Sequence, residues 1–242
     1  MKTAYPRERR LVPRRPHGRI LAGLTALLLV APAWGCLGGN RTAPLPFQYS
    51  LEYASPRLTD LPPLDTTLSL ERFSSTQGIN MTAMIYRSEP YRNDAYYGHY
   101  WRSRPRDLVT DFLLRDLKHA RLFKAVFSYQ DRQESRFVLQ GTVTECSAHY
   151  EAQGVQRAVL SLNLTLLDTQ RKEITEQVVF DKRYDLAPAM EERSPRALAQ
   201  GISAAMETLS PQMMRDVHRA VRERLAARDN PSNPRPAAVL SE

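Results

Sequence analysis

The sequence has few of the residues that build metal or nucleotide centres. Its 242 residues include two cysteines and ten glycines, with no Cys-x-x-Cys and no His-x-x-x-His pair. The spacings of common zinc sites are therefore missing. No glycine-rich phosphate loop is present either, so we expect any ATP to be handled by another subunit. The sequence predicts no metal site and no cofactor.

Catalytic signatures are equally scarce. Gly201-Ile202-Ser203 matches half of a nucleophile elbow, but the second glycine is missing and the segment falls within a predicted helix. Glu191-Glu192 precedes that helix, where negative charge suits the helix dipole without an acid-base role. We therefore predict no catalytic residue and no enzyme, with a secreted hydrolase as a remote alternative.

No apolar run is long enough for a retained transmembrane span. The run from Ile20 to Val30 has about half of the ~20 residues that cross a bilayer. Arginines precede it, and it ends in Ala33-Trp34-Gly35-Cys36. This order is typical of an export signal, so residues 1–35 are predicted to be removed.

Two cleavage sites are possible at the end of this signal. Ala31-Pro32-Ala33 fits ordinary secretion, whereas Ala33-Trp34-Gly35-Cys36 resembles the bacterial lipobox, in which the cysteine receives a diacylglycerol. We favour lipidation of Cys36, because the cysteine directly follows a small residue at the end of the apolar run. Acyl chains such as palmitate would then attach the protein to a membrane permanently. The alternative is secretion with Cys36 unmodified and able to form a disulfide with Cys146.

The net charge of +8 belongs mostly to the leader. Residues 1–35 hold seven of the 34 Lys and Arg and one of the 26 Asp and Glu, which leaves 27 minus 25, or +2. A nucleic-acid partner requires a basic face on the folded part, so the sequence predicts no nucleic-acid binding.

Composition divides the remaining chain into three parts. Residues 36–46 are predicted to be the lipidated N-terminus and a flexible tether, which reaches at most ~30 Å. Residues 47–228 are long enough for one domain with a sizeable core. Residues 229–242, with three prolines among small polar residues, are predicted to be a disordered tail.

Strands are predicted in eight segments, several of them from alternating apolar and polar residues and 122–127 from a short apolar run. These are 47–53, 67–73, 81–86, 93–100, 122–127, 137–143, 158–166 and 174–180. Helical spacing begins at Ser103 and Pro105, and again at Ser194-Pro195, with an expected kink or break at Ser210-Pro211. The predicted fold class is α+β, with a two-layer, mostly antiparallel sheet covered on one face by two or three helices.

The order of several short motifs resembles a known family. The motifs are Tyr86-Arg87, Pro90-Tyr91, Tyr96-Tyr97, Trp101, Pro105 at a helix start, Leu122-Phe123 and Leu139-x-Gly141-x-Val143. Together with the lipobox, they resemble the ABC-type transport auxiliary lipoproteins, among them the paraquat-inducible protein C-like lipoproteins. The resemblance covers most of the chain from Phe47 to Leu225.

The resemblance implies a periplasm-facing lipoprotein of the bacterial cell envelope. It implies partners as well: an MCE-domain substrate-binding protein, its ABC transporter, and phospholipid as a further candidate. Leu37 is not the Asp that retains many lipoproteins at the inner membrane, so we expect the outer membrane. The alternative is an envelope lipoprotein that regulates peptidoglycan synthesis or outer-membrane assembly, because fold does not fix function.

The tyrosine-rich stretch supplies the candidate residues for partner docking, since aromatic residues and arginine dominate binding hot spots. They are Arg87, Tyr91, Tyr96, Tyr97 and Trp101. Each has a structural alternative: Trp101 can close the core, and Arg87 can be a solvated loop charge. Because adjacent strand residues face opposite ways, either Tyr96 or Tyr97 must leave the core.

Overall fold

The computed structural model describes residues 45–151 and 154–229. The predicted signal peptide, the lipidation site Cys36, the tether up to residue 44 and the tail from residue 230 lie outside the described residues. The nine strands of the described part are β1 Phe47–Tyr49, β2 Leu64–Leu70, β3 Ser74–Ser75, β4 Ala83–Glu89, β5 Arg92–Trp101, β6 Phe123–Ser128, β7 Phe137–Tyr150, β8 Gln156–Asp168 and β9 Val178–Leu186. Its three α-helices are α1 Pro105–Ala120, α2 Ile174–Gln177 and α3 Pro195–Asp229.

Strand β7 organises the sheet. One edge of β7 pairs along its length with β8, and β9 continues the sheet beyond β8. The other edge is shared by three strands in succession: β2 near Phe137, β3 near Thr142 and β4 near Ser147. Strand β6 extends the sheet beyond β2, while β5 and then β1 extend it beyond β4. On this side of β7 the sheet therefore divides into two groups of strands, β2 with β6 and β4 with β5 and β1.

This topology confirms the predicted sheet covered by helices and corrects the predicted form of the sheet. Among the described residues, five strand pairings are parallel and three are antiparallel, and the sheet curls into an open half-barrel instead of a flat layer. The long β7, β8 and β9 meander is antiparallel as expected. The parallel pairings come from strands distant in sequence. Their order is set by long-range packing, which the local alternation pattern does not encode.

Helices α1 and α3 pack against the apolar face of the sheet and against each other. The start of α3 follows the prediction: the Ser194 hydroxyl accepts a hydrogen bond from the Ala197 amide at 3.0 Å, and Pro195 occupies the first helical position. The helix continues without a break through Pro211 to Asp229. No helix in the described part of the chain has the length and apolar character of a membrane span.

Two local predictions are wrong. Strand β1 ends at Tyr49, although burial keeps alternating to Tyr53, because the following residues bind helices instead of a strand. The Glu52 amide, for example, donates to the Ser203 hydroxyl at 3.0 Å. Ile174 begins the short helix α2 and is 78% exposed, so the last strand starts four residues later, at Val178.

A buried carboxylate joins three distant segments. The side chain of Asp116, on α1, is fully buried and accepts hydrogen bonds from the hydroxyls of Tyr53 at 2.7 Å, Ser55 at 2.5 Å and Ser210 at 2.5 Å. Arg115 also donates to it, at 2.8 Å. Burial and the neighbouring Asp116 carboxylate raise the pKa of the Tyr53 phenol, which stays protonated as a donor. The cluster attaches the segment after β1 to both long helices.

Close packing of α3 on β8 predicts that Gly201→Ala destabilises the domain. An alanine Cβ at this position would lie 2.4 Å from the Cβ of Ala158. Helix propensity alone would favour alanine by ~1 kcal/mol, but overpacking in a tight core costs ~1–3 kcal/mol. We expect a net loss of up to about 2 kcal/mol in the free energy of unfolding, measured in urea. The swap Gly201→Ala with Ala158→Gly should recover part of it, and a Gly201→Ala variant more stable than the parent would contradict this packing.

Acid should destabilise the domain through Asp168, whose side chain is fully buried. Arg136 donates to both carboxylate oxygens at 3.2 Å, and Arg224 of α3 donates at 3.2 Å. Burial raises the pKa of Asp168, but the hydrogen bonds and charge of the two arginines outweigh burial and lower it. Because the folded pKa is depressed, this stabilisation is complete above the unfolded pKa of about 4 and disappears as the pH falls through the folded pKa. Asp168→Asn should flatten the fall of the urea midpoint below about pH 4; an unchanged acid slope would contradict the assignment.

Candidate interaction surface

The β4 and β5 strands form a hairpin with an exposed aromatic tip. The turn consists of Pro90 and Tyr91, and Glu89 pairs with Arg92 across it. Tyr91 is fully exposed and has a φ of 67°, a left-handed conformation that is uncommon for residues other than glycine. Arg92 forms ion pairs at 2.9 Å with both Glu89 and Asp94. The tip therefore presents a tyrosine with a strained backbone, next to the ion pairs of Arg92 with Glu89 and Asp94.

The prediction for the adjacent tyrosines is confirmed, since Tyr96 and Tyr97 face opposite ways. Tyr97 is 91% exposed, whereas Tyr96 is half-buried, with its ring centroid 4.7 Å from that of Tyr86. The Tyr96 and Tyr150 hydroxyls share a hydrogen bond, and the Tyr86 and Tyr150 centroids are 5.6 Å apart. Three strands, β4, β5 and β7, thus each contribute one ring to a tyrosine cluster.

An open groove of about 500 Å³ lies over this cluster, and we call it the tyrosine groove. Its walls include the rings of Tyr86, Tyr96 and Tyr150, with Arg92 and Arg193 at its sides. The guanidinium of Arg193, just before α3, lies 4.9 Å from the centre of the Tyr150 ring. Burial raises the pKa of Tyr150 to about 12, so its phenol is neutral at physiological pH. The groove combines aromatic walls, hydroxyl groups, the cation of Arg193, and Arg92 paired with the Asp94 carboxylate.

The opposite face of the sheet carries a smaller polar group near Arg87. Arg87 donates to the Asn93 side chain at 3.3 Å and pairs in register with His149 of β7. Hydrogen bonds from His149 and Ser147, together with the charge of Arg87, keep the pKa of Glu145 below its ordinary value. Arg87 is therefore placed on the hairpin, on the other side of the sheet from the tyrosine groove.

Trp101 does not belong to this surface, which corrects its place among the docking candidates. It is 1% exposed and lies at the end of β5, beside Leu51, Leu108, Cys146 and Ile202. The physical reason is its position: the chain turns from β5 towards α1 at this point, and the large ring fills the space between sheet and helices. Arg87, Tyr91, Tyr96 and Tyr97 remain on the hairpin.

The groove also includes two residues that the sequence analysis did not select. Tyr150 ends β7 and Arg193 precedes α3, so both are more than forty residues from the hairpin in sequence. Neither belongs to a spaced motif that would reveal the contact. The pairing of β4 with the end of β7 brings Tyr150 to the hairpin, and Arg193 reaches the groove from the segment before α3, where it contacts the Tyr150 ring.

The structure also locates the other residues considered for chemistry. Cys146 is buried and unpaired, and burial raises the pKa of its thiol to about 12, as expected for an unreactive strand residue. Ser203 lies in the middle of α3 and donates to the Ala199 carbonyl at 2.7 Å. Residues 45–151 and 154–229 contain no group of three or more His, Cys, Asp or Glu arranged to hold a metal ion.

Fold and surface together define a small α/β domain with a curled sheet and a projecting aromatic hairpin. The family model for the ABC-type transport auxiliary lipoprotein component matches residues 49–214. The chain belongs to this family, as the order of its motifs indicated. Among curated proteins, none matches the sequence closely enough to count as a relative.

Solved structures share the fold at low sequence identity. Protein XCC0632 from Xanthomonas campestris, of the family DUF330, has a TM-score of 0.67 and 17% identity, covering 74% of this chain and 98% of its own. A second structure, described as an uncharacterized protein, has a TM-score of 0.55 and 13% identity, covering 71% and 98%. At these identities the comparison establishes the fold alone.

Proposed function

We propose that this protein is a membrane-anchored, periplasm-facing lipoprotein that serves as a non-catalytic docking component of an MCE and ABC-type lipid-transport system. Membership of the ABC-type transport auxiliary lipoprotein family carries the proposal. Cys36, which lies outside the described residues, would hold the acyl chains, and the outer membrane is the proposed location. The MCE-domain protein and its transporter are the proposed partners.

The hairpin is the proposed docking element. It offers the exposed Tyr91 at its tip and the tyrosine groove behind it. Exposed tyrosine and arginine form energetic centres of protein interfaces, because a large ring buries area with little loss of conformational entropy. Arg87, Tyr91 and Tyr96 are therefore the proposed contacts, with Tyr86, Tyr150 and Arg193 added from the structure. Tyr97, the remaining candidate on the hairpin, lies nearer along β5 to its pairing with β1 than to the tip, and we do not include it among the contacts.

Tyr91→Gly separates docking from folding and tests the proposal. Glycine adopts a φ of 67° without strain, so the free energy of unfolding should stay within ~1 kcal/mol of the parent or rise. The exposed ring is lost, and we expect recovery of the MCE-domain protein after mild crosslinking to fall about ten-fold, the effect of ~1.4 kcal/mol.

A photo-crosslinking residue at position 91 gives the direct measurement. Ile174 is also well exposed but lies on α2, and it is the matched control position. Adducts with an MCE-domain protein at position 91 and not at 174 would support the proposal. Efficient crosslinking to bystander proteins alone, or equal recovery with Tyr91→Gly, would contradict it.

A further inference from the structure

Exposed apolar side chains gather at one edge of the sheet. Leu45, just before β1, is 88% exposed, and Phe47 on β1 is 61% exposed. On the neighbouring β5, Tyr97 is almost fully exposed and Tyr100 is partly exposed. We call residues 45–50 and 95–100 the aromatic edge.

The aromatic edge also lacks charge. A quarter of the residues of the sequence are charged, yet residues 45–50 and 95–100 contain no Asp, Glu, Lys or Arg. The opposite edge strand, β9, carries four: Asp181, Lys182, Arg183 and Asp185. Charged edge strands resist association, so β9 is protected by charge, whereas the aromatic edge has no charged side chain that would keep an apolar surface away.

The exposed rings are fixed in place. Phe47 pairs in register with His99 and stacks on its imidazole ring, with the two ring centroids 5.1 Å apart. The Tyr49 hydroxyl bonds to Nδ1 of the same histidine at 2.9 Å. Because β1 is held against β5 in this way, Phe47 and Leu45 are presented to solvent by an ordered strand.

We propose that the aromatic edge rests on the bilayer surface, in the interfacial layer where tyrosine and phenylalanine partition favourably. The proposal rests on the lipid anchor of the proposed function. Leu45 follows Cys36 by nine residues, so the end of the aromatic edge at Leu45 lies within ~30 Å of an acylated cysteine. Aromatic side chains with a polar tip favour the membrane interface, and charged side chains do not enter it readily. This orientation leaves α2 and β9 away from the membrane.

Fluorescent labels at introduced cysteines test this orientation. Phe47→Cys and Tyr97→Cys report on the aromatic edge, and Ile174→Cys, which is 78% exposed, is the matched control. The native Cys146 is buried and should not react. The full lipoprotein is purified from membranes and reconstituted in anionic phospholipid vesicles. The fraction of lipid that is brominated near the head group is then raised in steps, and the quenching of the label fluorescence is measured.

Position 97 is decisive, since position 47 lies close to the anchor in sequence. We expect fluorescence at 47 and 97 to fall about two-fold or more, with little change at 174, because interfacial groups enter the boundary by only ~5–10 Å. Equal quenching at 97 and 174 would overturn the orientation. Burial of the label at position 97 in detergent without lipid would also overturn the proposed orientation, because a second copy or a partner protein would then cover this edge.

A second preparation separates this result from the anchor itself. A histidine tag replaces residues 1–35, Cys36→Ser removes the acylation site, and nickel-chelating lipid holds the chain to the vesicle. If the natural product has no acyl group, the proposed anchor is wrong, but this preparation still compares positions 97 and 174. Quenching at 97 alone supports the orientation, and equal quenching contradicts it.

Discussion

Trp101→Ala should destabilise the domain by about 3–5 kcal/mol, the range for truncating a large buried aromatic residue. Trp101 is almost completely buried, and the apolar neighbours around it come from the segment after β1, from α1, from β7 and from α3. Its removal would leave a cavity where sheet and helices meet. Small domains have only ~5–15 kcal/mol in total, so much of the stability would be lost. Urea unfolding followed by circular dichroism measures the change.

Two further variants make this result specific. Trp101→Phe keeps most of the volume, and Nε1 of Trp101 has no hydrogen-bond partner among the described residues, so no partner group is left unsatisfied. We expect this variant to cost ~1 kcal/mol. Tyr97→Ala, at an exposed position, should change stability by no more than ~0.5 kcal/mol. A stable Trp101→Ala variant that only loses partner binding would restore Trp101 as a docking residue.

Asp116→Ala is the second change with a large expected effect, about 3–5 kcal/mol. The Asp116 carboxylate accepts hydrogen bonds from three hydroxyls and from Arg115, and its own side chain is fully buried. Removing the acceptor leaves buried donors unpaired, at ~1–3 kcal/mol for each fully buried group. The segment after β1 would also lose its attachment to α1 and α3. Urea unfolding again provides the measurement.

Asp111→Ala is the matched control on the same helix. Asp111 lies on the exposed side of the helix. Partial burial of its carboxyl group and the nearby Asp107 charge raise its pKa, so the loss of this carboxylate should be neutral or slightly stabilising. A double-mutant cycle of Asp116→Ala with Ser210→Ala should show a coupling of at least ~1 kcal/mol, as expected for residues in one network. Additive effects of the two changes would indicate that the cluster does not act as a unit.

Local patterns predicted the elements whose signals are local. Pro105 and Ser194-Pro195 predicted both long helices, and alternation predicted β8 near its observed bounds. The strands predicted at 81–86 and 93–100 overlap the observed β4 and β5. Ile174 misled the prediction, because a short exposed helix of four residues has no stripe to distinguish it from a strand. Pro211 did not break α3, so one of the two alternatives, two consecutive helices, is wrong. The apolar stripe that the sequence shows on both sides of Pro211 is buried and holds the continuous helix in place.

The sites depend on residues brought together by topology. The sequence contains one indication of Asp116: it is a carboxylate on the apolar side of α1, between Leu113 and Leu117. Its partners at positions 53, 55 and 210 follow no helical or strand periodicity, so the sequence does not reveal them. The tyrosine groove was half predicted: the hairpin residues form an aromatic-rich motif, whereas Tyr150 and Arg193 do not. Parallel pairing of β4 with β7, which joins these parts, follows from the whole fold.

The attachment of the hairpin has a consequence for how relatives diversify. Strand β4 contacts β7 through Ile85, Tyr86 and Arg87, and β5 is held by β1 at its last three residues. The outer part, from Ser88 to Asp94, is held by the hairpin's own pairing and lines no part of the core. A change in the length or composition of this outer part would therefore leave the core of the domain unaltered, so the projection is free to vary among relatives that keep the same fold.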